Sequence, residues 1–486
     1  VKELHLDGNN VIYAPISSLT KETLKDTGMD NKSILRSKNM FALGLCYFIF
    51  DRPLNFTEDY FDKKFAKVPA IIEANKMVLK AGYNYGSNIQ ALPSYKINPA
   101  KQENGLYRSI SGNQATAWGL LAAAEKANLK LFCGSYPITP ASEILHEISK
   151  YKHFGAKAFQ AEDEIAGIAS AIGASYAGDL ACTTTSGPGM ALKTEAIGLA
   201  IITELPLVIV NVQRGGPSTG MPTKMEQSDL LQAVHGRNSD AQIPVITAQD
   251  PADCFDCAFE AARVALKYMT PVILLTDGYL GQGSGPWLIP DPKSLPEIKV
   301  THPDSSARGE NGFMPYSRDE NEARPWALPG TPGLEHRIGG LEKENITGMV
   351  SQDPENHQLM TDIRARKITR ITQEIPPSEI FGKAKGKVLV IGWGSTHGSI
   401  HVAVDRVQAE GKSVSQLHLR WVSPFPSDLK EICDNFDEIL IPEVNSGQLS
   451  LLLKADLVRP IHQLNKVRGE PFRASEIEEK INEILG

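Results

Sequence analysis

The chain has 486 residues, 42% of them hydrophobic and 22% charged, with a formal net charge of −7. At roughly 150 residues per domain that is a globular chain of about three domains, with enough apolar residues for a sizeable core. No basic block stands out, so nucleic acid and anionic membrane surfaces are not expected partners, and no apolar run is long enough to cross a bilayer.

Six cysteines in so long a chain do not form a disulfide framework and fit a reducing compartment, which makes the cytoplasm the expected location. No secretory leader is visible. The chain opens at Val1 without an initiator Met, which points to processing, trimming or residues ahead of it.

Three blocks follow in order. The first, 1–100, is small and mixed. Val11-Ile12-Tyr13 reads as a short strand, Asn39 to Phe50 as a buried helix, and Val68 to Lys80 carries helical periodicity. The Pro- and Asn-containing stretch Ser94 to Asn104 reads as a linker.

The second block, 106–290, alternates strands and helices. A small-residue helix from Gln114 to Ala127 leads into a strand from Leu129 to Cys133, and Ser142 is placed to cap the next helix. Strands follow at Lys157 to Gln160, Leu180 to Thr185, Pro206 to Val212, Val245 to Ala248 and Pro271 to Thr276. Between them, Ile165, Ile168, Ile172 and Ser175 mark one helix face, and Pro251 to Tyr268 forms another helix. Continuous Val/Ile/Leu strands separated by helices predict a doubly wound parallel α/β sheet covered on both faces.

From 291 to 374 periodicity fades and Pro and Gly become frequent. An extended connection of that length suits wrapping a partner or covering a site. The third block, 385–486, restarts with the strand Val388 to Ile391, a helix from Ser395 to Gln408, and strands at Val414 to Leu419 and Glu438 to Pro442. It is a second, smaller α/β domain.

In an open parallel sheet, ligands bind outside the carboxyl ends of the strands. The most unusual residues fall there: Gly134-Ser-Tyr-Pro-Ile-Thr-Pro140, Ala161-Glu-Asp-Glu164, Ser186-Gly-Pro-Gly189 and Arg214-Gly-Gly-Pro-Ser-Thr-Gly220. All four loops are expected on one rim. A guanidinium at Arg214 suits a carboxylate, since its fork donates two parallel hydrogen bonds. Thr139 and Thr219 offer hydroxyls to the same small anion. The competing reading is an arginine that pins its own loop by bonding backbone carbonyls. Glu162, Asp163 and Glu164 suit the first turn of a helix. The Ala/Gly/Ser helix behind them also implies close approach of another element or subunit, and a packed carboxylate there can relay protons.

These residues resemble a known family, the alpha subunits of 2-oxo acid:ferredoxin oxidoreductases, above all the 2-oxoglutarate type. The resemblance is carried by Tyr-Pro-Ile-Thr-Pro at 136–140, Ala-Glu-Asp-Glu-Ile-Ala-Gly-Ile at 161–168, the Thr-Ser-Gly-Pro-Gly turn and Gln-Arg-Gly-Gly-Pro-Ser-Thr-Gly-Met-Pro-Thr at 213–223. Three more motifs extend it: Thr-Asp-Gly-Tyr-Leu at 276–280, Pro-Gly-Thr-Pro-Gly-Leu-Glu-His at 329–336 and Pro-Glu-Val-Asn-Ser-Gly-Gln-Leu at 442–449.

The resemblance implies a thiamine diphosphate-binding fold of the pyrimidine type, followed by a transketolase C-terminal-like domain, and oxidative decarboxylation of 2-oxoglutarate with coenzyme A to succinyl-CoA. Glu164 would bond the aminopyrimidine ring of thiamine diphosphate, with Pro137 and Ile138 also against the cofactor. Arg214 would hold the substrate carboxylate, helped by Thr139 and Thr219. Coenzyme A would be the cosubstrate and ferredoxin the electron acceptor. No Gly-Asp-Gly…Asn signature for metal and diphosphate is present, so magnesium, the diphosphate and an iron–sulfur cluster are expected in a beta subunit, within a dimer of heterodimers. The first block would be the C-terminal part of a gamma-type domain whose glycine-rich loop is absent here. No metal ligands are expected in this chain.

Cys254-Phe-Asp-Cys257 has the spacing of a metal or redox motif, but no second pair accompanies it, and the two read as incidental helix cysteines. Gly392-Trp-Gly394-Ser-Thr-His-Gly398 resembles a dinucleotide turn with one gap too long and no acidic residue about 20 positions on. It reads as a tight strand-to-helix turn. The eleven histidines show no ligand spacing, and His397 and His401 fit one helix face. Rival readings are the same chemistry on pyruvate or branched-chain oxo acids, a nicotinamide-dependent dehydrogenase, and a non-catalytic scaffold subunit.

Overall fold

The computed structural model of the chain describes residues 11–89, 95–96, 100 and 102–486. The chain divides into two compact units, 1–104 and 105–486. The linker expected over Ser94–Asn104 falls partly outside the described residues.

Among the described residues the first unit is all helical, with helices Ile16–Leu24, Asn31–Arg36, Lys38–Ile49, Asn55–Lys64 and Pro69–Asn88. Val11-Ile12-Tyr13 is irregular rather than a strand; a lone apolar triplet needs a partner ladder to become one. Helices Lys38–Ile49 and Pro69–Asn88 pack around Phe41, Ala74 and Val78. They come so close that a Cβ on Gly44 or Gly82 would collide with the backbone of the facing helix.

The second unit begins with strands β1 (Tyr107–Ser111), β2 (Leu131–Ser135), β3 (Lys157–Gln160), β4 (Leu180–Thr185), β5 (Leu207–Gln213), β6 (Val245–Thr247), β7 (Pro271–Asp277) and β8 (Ser284–Leu288). It ends with β9 (Ile380–Phe381), β10 (Gly386–Trp393), β11 (Val414–Leu419), β12 (Trp421–Ser423), β13 (Phe436–Glu443) and β14 (His462–Asn465). The main sheet has the order β12-β6-β7-β5-β4-β2-β3, and every strand from β6 through β3 runs parallel to its neighbour. All residues of β4, β5 and β7 are buried, as expected where helices cover both faces.

The smaller sheet has the order β14-β13-β10-β11-β9. The two sheets are not independent. β12, from the third block, pairs antiparallel with β6 and finishes the edge of the main sheet. One core also runs from Ile197, Leu207 and Ile209 to Leu389, Trp393 and Leu417.

Several local expectations need correction. The region 291–374 is not wholly extended, for it contains the helix Pro354–Arg370. Asp353 caps it and Pro354 opens it, but its buried face reads Asn356, Met360, Ile363, Lys367 and Ile368. Two of those five positions are polar, so the apolar period is broken in the sequence. Lys367 is buried because Glu204 bonds it, and Arg318 bonds the same carboxylate. Ser142 does not cap its helix. Its hydroxyl accepts from the Ile138 amide at 2.8 Å and donates to the Ile138 carbonyl at 3.0 Å. Ile165 is 56% exposed, whereas Ile168, Ile172 and Ser175 face inward; it projects from the first turn, beyond the part of the helix that covers the sheet.

Candidate active site

The loops after β2, β3, β4 and β5 gather at the carboxyl ends of adjacent strands, because the order β5-β4-β2-β3 makes those ends neighbours. After β2 the chain turns through Tyr136 to a cis Thr139–Pro140 bond. The buried amide of Asn113 holds that turn, donating to the Pro140 carbonyl and to Glu143, each at 3.0 Å. Pro137 and Thr139 are exposed and Ile138 is half-buried.

Glu164 is the first residue of the helix Glu164–Tyr176. Asp163 caps that helix by accepting from the Ala166 amide at 2.8 Å. The acidic run thus divides its labour: Asp163 serves the helix, while the Glu164 side chain, half-buried, is free of that duty. Beside it the Tyr136 hydroxyl meets Thr185 Oγ1 at 2.9 Å. Burial raises the Tyr136 phenol well above its ordinary range, and the Glu164 carboxylate adds to the effect.

Gly189, in the turn after β4, lies between these groups. A Cβ there would collide with the hydroxyls of Tyr136 and Thr185 and stand 3.1 Å from Glu164 Cγ. Gly134 and Gly167 make a second close approach, for a Cβ on Gly134 would meet the Gly167 carbonyl at 2.5 Å.

Arg214 is buried, and its Nη1 donates to the Thr139 carbonyl at 2.6 Å while its Nε has no partner. The structure therefore brings Arg214 and Thr139 together through the backbone of Thr139, not its hydroxyl. Thr219 sits on the exposed tip of the loop after β5. That loop turns through a cis Gly216–Pro217 bond, with Ser218 and Gly220 at positive φ. The Gly216 amide donates to Glu226 at 3.3 Å. A Cβ on Gly220 would strike the Gly215 carbonyl, so glycine is required at that crossing. Two further buried atoms lack partners on this rim, Ser186 Oγ and Asn211 Oδ1. Asp229, bonded by Asn211 at 3.0 Å, is pushed up to about 6 by burial.

Residues to which the sequence reading gave no role, some of them inside the 442–449 motif, do much of the positioning. The smaller sheet delivers Val444, Asn445 and Gln448 onto the segment 227–231. The Gln227 amide nitrogen of the side chain donates to the Trp393 carbonyl at 2.7 Å, and its Oε1 accepts from the Val444 amide at 3.1 Å. Asn445 donates to the Gln227 carbonyl at 2.8 Å, and Gln448 to that of Ser228 at 2.7 Å. The motif at 442–449 is thus a clamp on the loop carrying Arg214. Lys193, wholly buried, donates to the Glu164 carbonyl at 2.6 Å. A lone cation inside the apolar run 187–202 was its visible signal. The 392–398 turn is the expected strand-to-helix turn, with a short 3₁₀ turn at Gly394–Thr396, and it docks on β7 where Ser395 donates to Asp277.

Cys254 and Cys257 lie in the helix Asp253–Tyr268, both buried and reduced. Among the described residues no group of three or more His, Cys, Asp or Glu is placed to hold a metal ion, and no helix is long and apolar enough to cross a membrane.

Comparison with known proteins agrees with this layout. The family described as pyruvate flavodoxin/ferredoxin oxidoreductase, thiamine diP-binding, matches residues 122–353, and pyruvate:ferredoxin oxidoreductase core domain II matches 386–477. The 2-oxoglutarate oxidoreductase subunit KorA of Mycobacterium tuberculosis is 48% identical over 465 residues, 95% of this chain and 70% of that one. The 2-oxoglutarate synthase subunit KorA of Methanothermobacter marburgensis is 32% identical, covering 78% of this chain and 98% of its own. Among solved structures, 2-oxoglutarate:ferredoxin oxidoreductase from Magnetococcus marinus, with 2-oxoglutarate, coenzyme A and succinyl-CoA bound, superposes with a TM-score of 0.87 at 33% identity. It covers 96% of this chain and 80% of that one. The chain belongs to the alpha-subunit family of the 2-oxoacid:ferredoxin oxidoreductases.

Proposed function

We propose that this chain is the alpha subunit of a 2-oxoglutarate:ferredoxin oxidoreductase, which converts 2-oxoglutarate and coenzyme A to succinyl-CoA and carbon dioxide and passes electrons to ferredoxin. One observation carries the reading: a half-buried Glu164, the Tyr136 hydroxyl and an incompletely satisfied Arg214 gather on one strand-end rim, in a chain 48% identical to a 2-oxoglutarate oxidoreductase subunit.

The residues present fit thiamine diphosphate. Gly189 lets the Tyr136 and Thr185 hydroxyls pack beside Glu164, where a Cβ would collide with them, and the half-buried Glu164 side chain is not spent on the helix cap that Asp163 supplies. Glu164 would accept a hydrogen bond from the aminopyrimidine ring, with Pro137 and Ile138 against the cofactor. When bound, the cofactor supplies a nucleophilic carbon for the keto group and a sink for the electron pair left by carbon dioxide. Glu164 would hold its carboxylate at the ring, with Tyr136 and Gly189 packed beside it. Arg214 would keep one donor on Thr139 and offer its unpartnered Nε to the substrate carboxylate. Thr139 and Thr219 would add hydroxyls to that anion site.

We assign the diphosphate with its magnesium, and the iron–sulfur cluster, to a beta subunit, since this chain lacks the Gly-Asp-Gly…Asn signature. That subunit would cover the exposed side of the helix behind Glu164, where Ile165 and Ala169 meet solvent and Gly173 has nothing within 4 Å of a Cβ. A dimer of such heterodimers in the cytoplasm is the proposed working state.

The test is anaerobic reduction of methyl viologen by the chain copurified with its partner, given thiamine diphosphate and magnesium. Turnover that requires both 2-oxoglutarate and coenzyme A supports the proposal. Turnover with pyruvate or branched-chain oxo acids alone keeps the chemistry and changes the substrate. No turnover with any oxo acid, from a complex shown to hold cluster and cofactor, reduces the chain to a scaffold.

A further inference from the structure

Lys193 joins the helices Gly187–Leu192 and Thr194–Ile202 and is fully buried. Its ammonium donates to the Glu164 carbonyl at 2.6 Å and to Thr183 Oγ1 at 3.3 Å, and lies 5.0 Å from the centre of the Tyr136 ring. It packs against Gly167, where a Cβ would stand 3.4 Å from Nζ, an ordinary contact distance. Among the described residues it forms no ion pair.

That placement is costly in two ways. A buried ammonium without a paired carboxylate is destabilising by several kcal/mol. It also stands at the N-terminal end of the helix Glu164–Tyr176, where the helix dipole repels a cation. A Met or Leu would fill the same space without either cost. What the ammonium gains is a strong hydrogen bond to the main chain of one particular residue, together with the field of two neighbouring carboxylates, Glu164 and Asp163.

We propose that Lys193 is a positioning residue for Glu164, its ammonium clamping the Glu164 carbonyl so that the carboxylate above projects at a set height and direction towards the ring it would bond. The inference rests on the role proposed for Glu164. Burial pulls the Lys193 ammonium down to about 8, with Glu164, Cys133 and Asp163 pulling the other way. It therefore stays charged at neutral pH.

The shorter of its two bonds reaches the main chain of Glu164 itself, which separates the clamp from general packing. The experiment uses the complex of this chain with its partner, freed of thiamine diphosphate, as wild type, Lys193→Met, Lys193→Gln and Lys193→Arg. Affinity for thiamine diphosphate is measured by titration calorimetry, and kcat and KM for 2-oxoglutarate after reloading. In Lys193→Met and Lys193→Gln, thiamine diphosphate should bind about tenfold more weakly and kcat fall about 100-fold, with KM for 2-oxoglutarate within about twofold. Lys193→Arg, which keeps a charged donor, should recover part of both.

Unchanged cofactor affinity and kcat in Lys193→Met overturn the inference. So does failure of all three variants to assemble, which assigns the lysine to packing. If the wild type binds thiamine diphosphate yet turns over no oxo acid, the proposed function fails on its own, and the affinities still decide the case of Lys193.

Discussion

Arg214 Nη1 donates to the carbonyl of Thr139 at 2.6 Å, across 75 residues of sequence, and so ties the loop after β5 to the loop after β2. The arginine is thus a loop pin, and its unpartnered Nε leaves the proposed role in holding a carboxylate compatible with that bond. Arg214→Ala should raise KM for 2-oxoglutarate about 10- to 100-fold, the cost of a charge-assisted contact to a carboxylate, with a smaller fall in kcat from the loosened loops. Arg214→Lys should recover little, because the compact ammonium lacks the planar fork whose separated donors reach Thr139 and a carboxylate together. An unchanged KM in Arg214→Ala, measured with a folded complex, would remove the arginine from the substrate site.

Gly189 tests the space beside Glu164. The methyl group of Gly189→Ala would collide with Tyr136 and Thr185 and press on Glu164. Overpacking of this kind costs about 1–3 kcal/mol, while misplacing Glu164 by about 1 Å costs about 100-fold in rate. Turnover should therefore fall far more than stability. Adding Tyr136→Phe, which removes the nearest colliding atom, should return part of the activity. Full activity in Gly189→Ala would show that the packing of Tyr136 and Thr185 against Glu164 does not matter to turnover.

Gln227 carries the connection from the smaller sheet to the Arg214 loop through the Trp393 carbonyl and the Val444 amide. Gln227→Leu leaves the Val444 amide buried and unpaired, at about 1–3 kcal/mol, while the Trp393 carbonyl keeps only its bond from Thr396 at 2.7 Å. Lowered kcat/KM for 2-oxoglutarate, with a reduced urea midpoint and an intact association with the partner, is the expected pattern. Equal activity with equal midpoint would mean that the clamp does not hold the loop.

Asp229 gives the rim a pH signature. Burial lifts its carboxyl to about 6, a shift that Asn211 and Arg214 reduce and Glu226 increases. Between its ordinary value of 3.8 and about 6 the folded chain holds a proton that the unfolded chain has lost. Stability should therefore fall as pH rises through that window, by about 1–3 kcal/mol. Asp229→Asn should flatten this part of the profile, as read from urea midpoints between pH 4 and 7. An identical slope in wild type and variant would locate the titration elsewhere.

The sequence was most legible where one physical signal dominated. The runs Leu180–Thr185 and Leu207–Gln213 announce buried parallel strands because every position is covered, and glycine-rich loops at their ends announce the rim. The helix Pro354–Arg370 stayed hidden because Lys367 and Asn356 occupy its inner face, Lys367 held by Glu204 far along the chain and Asn356 by the backbone of Lys343 and Asn345. β12 could not be assigned to the main sheet, since strand pairing across 175 residues leaves no local trace. In the site, Arg214 and Glu164 stand out by type and setting. Gln227 and Asn113 do not, because an amide's role depends on which carbonyls the fold brings to it.

The cysteine pair at 254 and 257 offers the last test, between an incidental spacing and a cluster ligand. Both thiols are enclosed and pushed well above their ordinary range by burial, with the Asp253 carboxylate adding to the shift. They spend their weak donors within the fold: Cys254 on the Asp250 carbonyl at 3.4 Å, and Cys257 on the Thr247 carbonyl at 3.5 Å. A metal or cluster binds thiolate, which such surroundings disfavour. The double variant Cys254→Ala, Cys257→Ala should leave the iron content of the purified complex and its viologen reduction unchanged. Two small cavities should instead lower the melting temperature, at about 1 kcal/mol each. A proportional loss of iron with preserved stability would reverse the assignment and make the pair a ligand set.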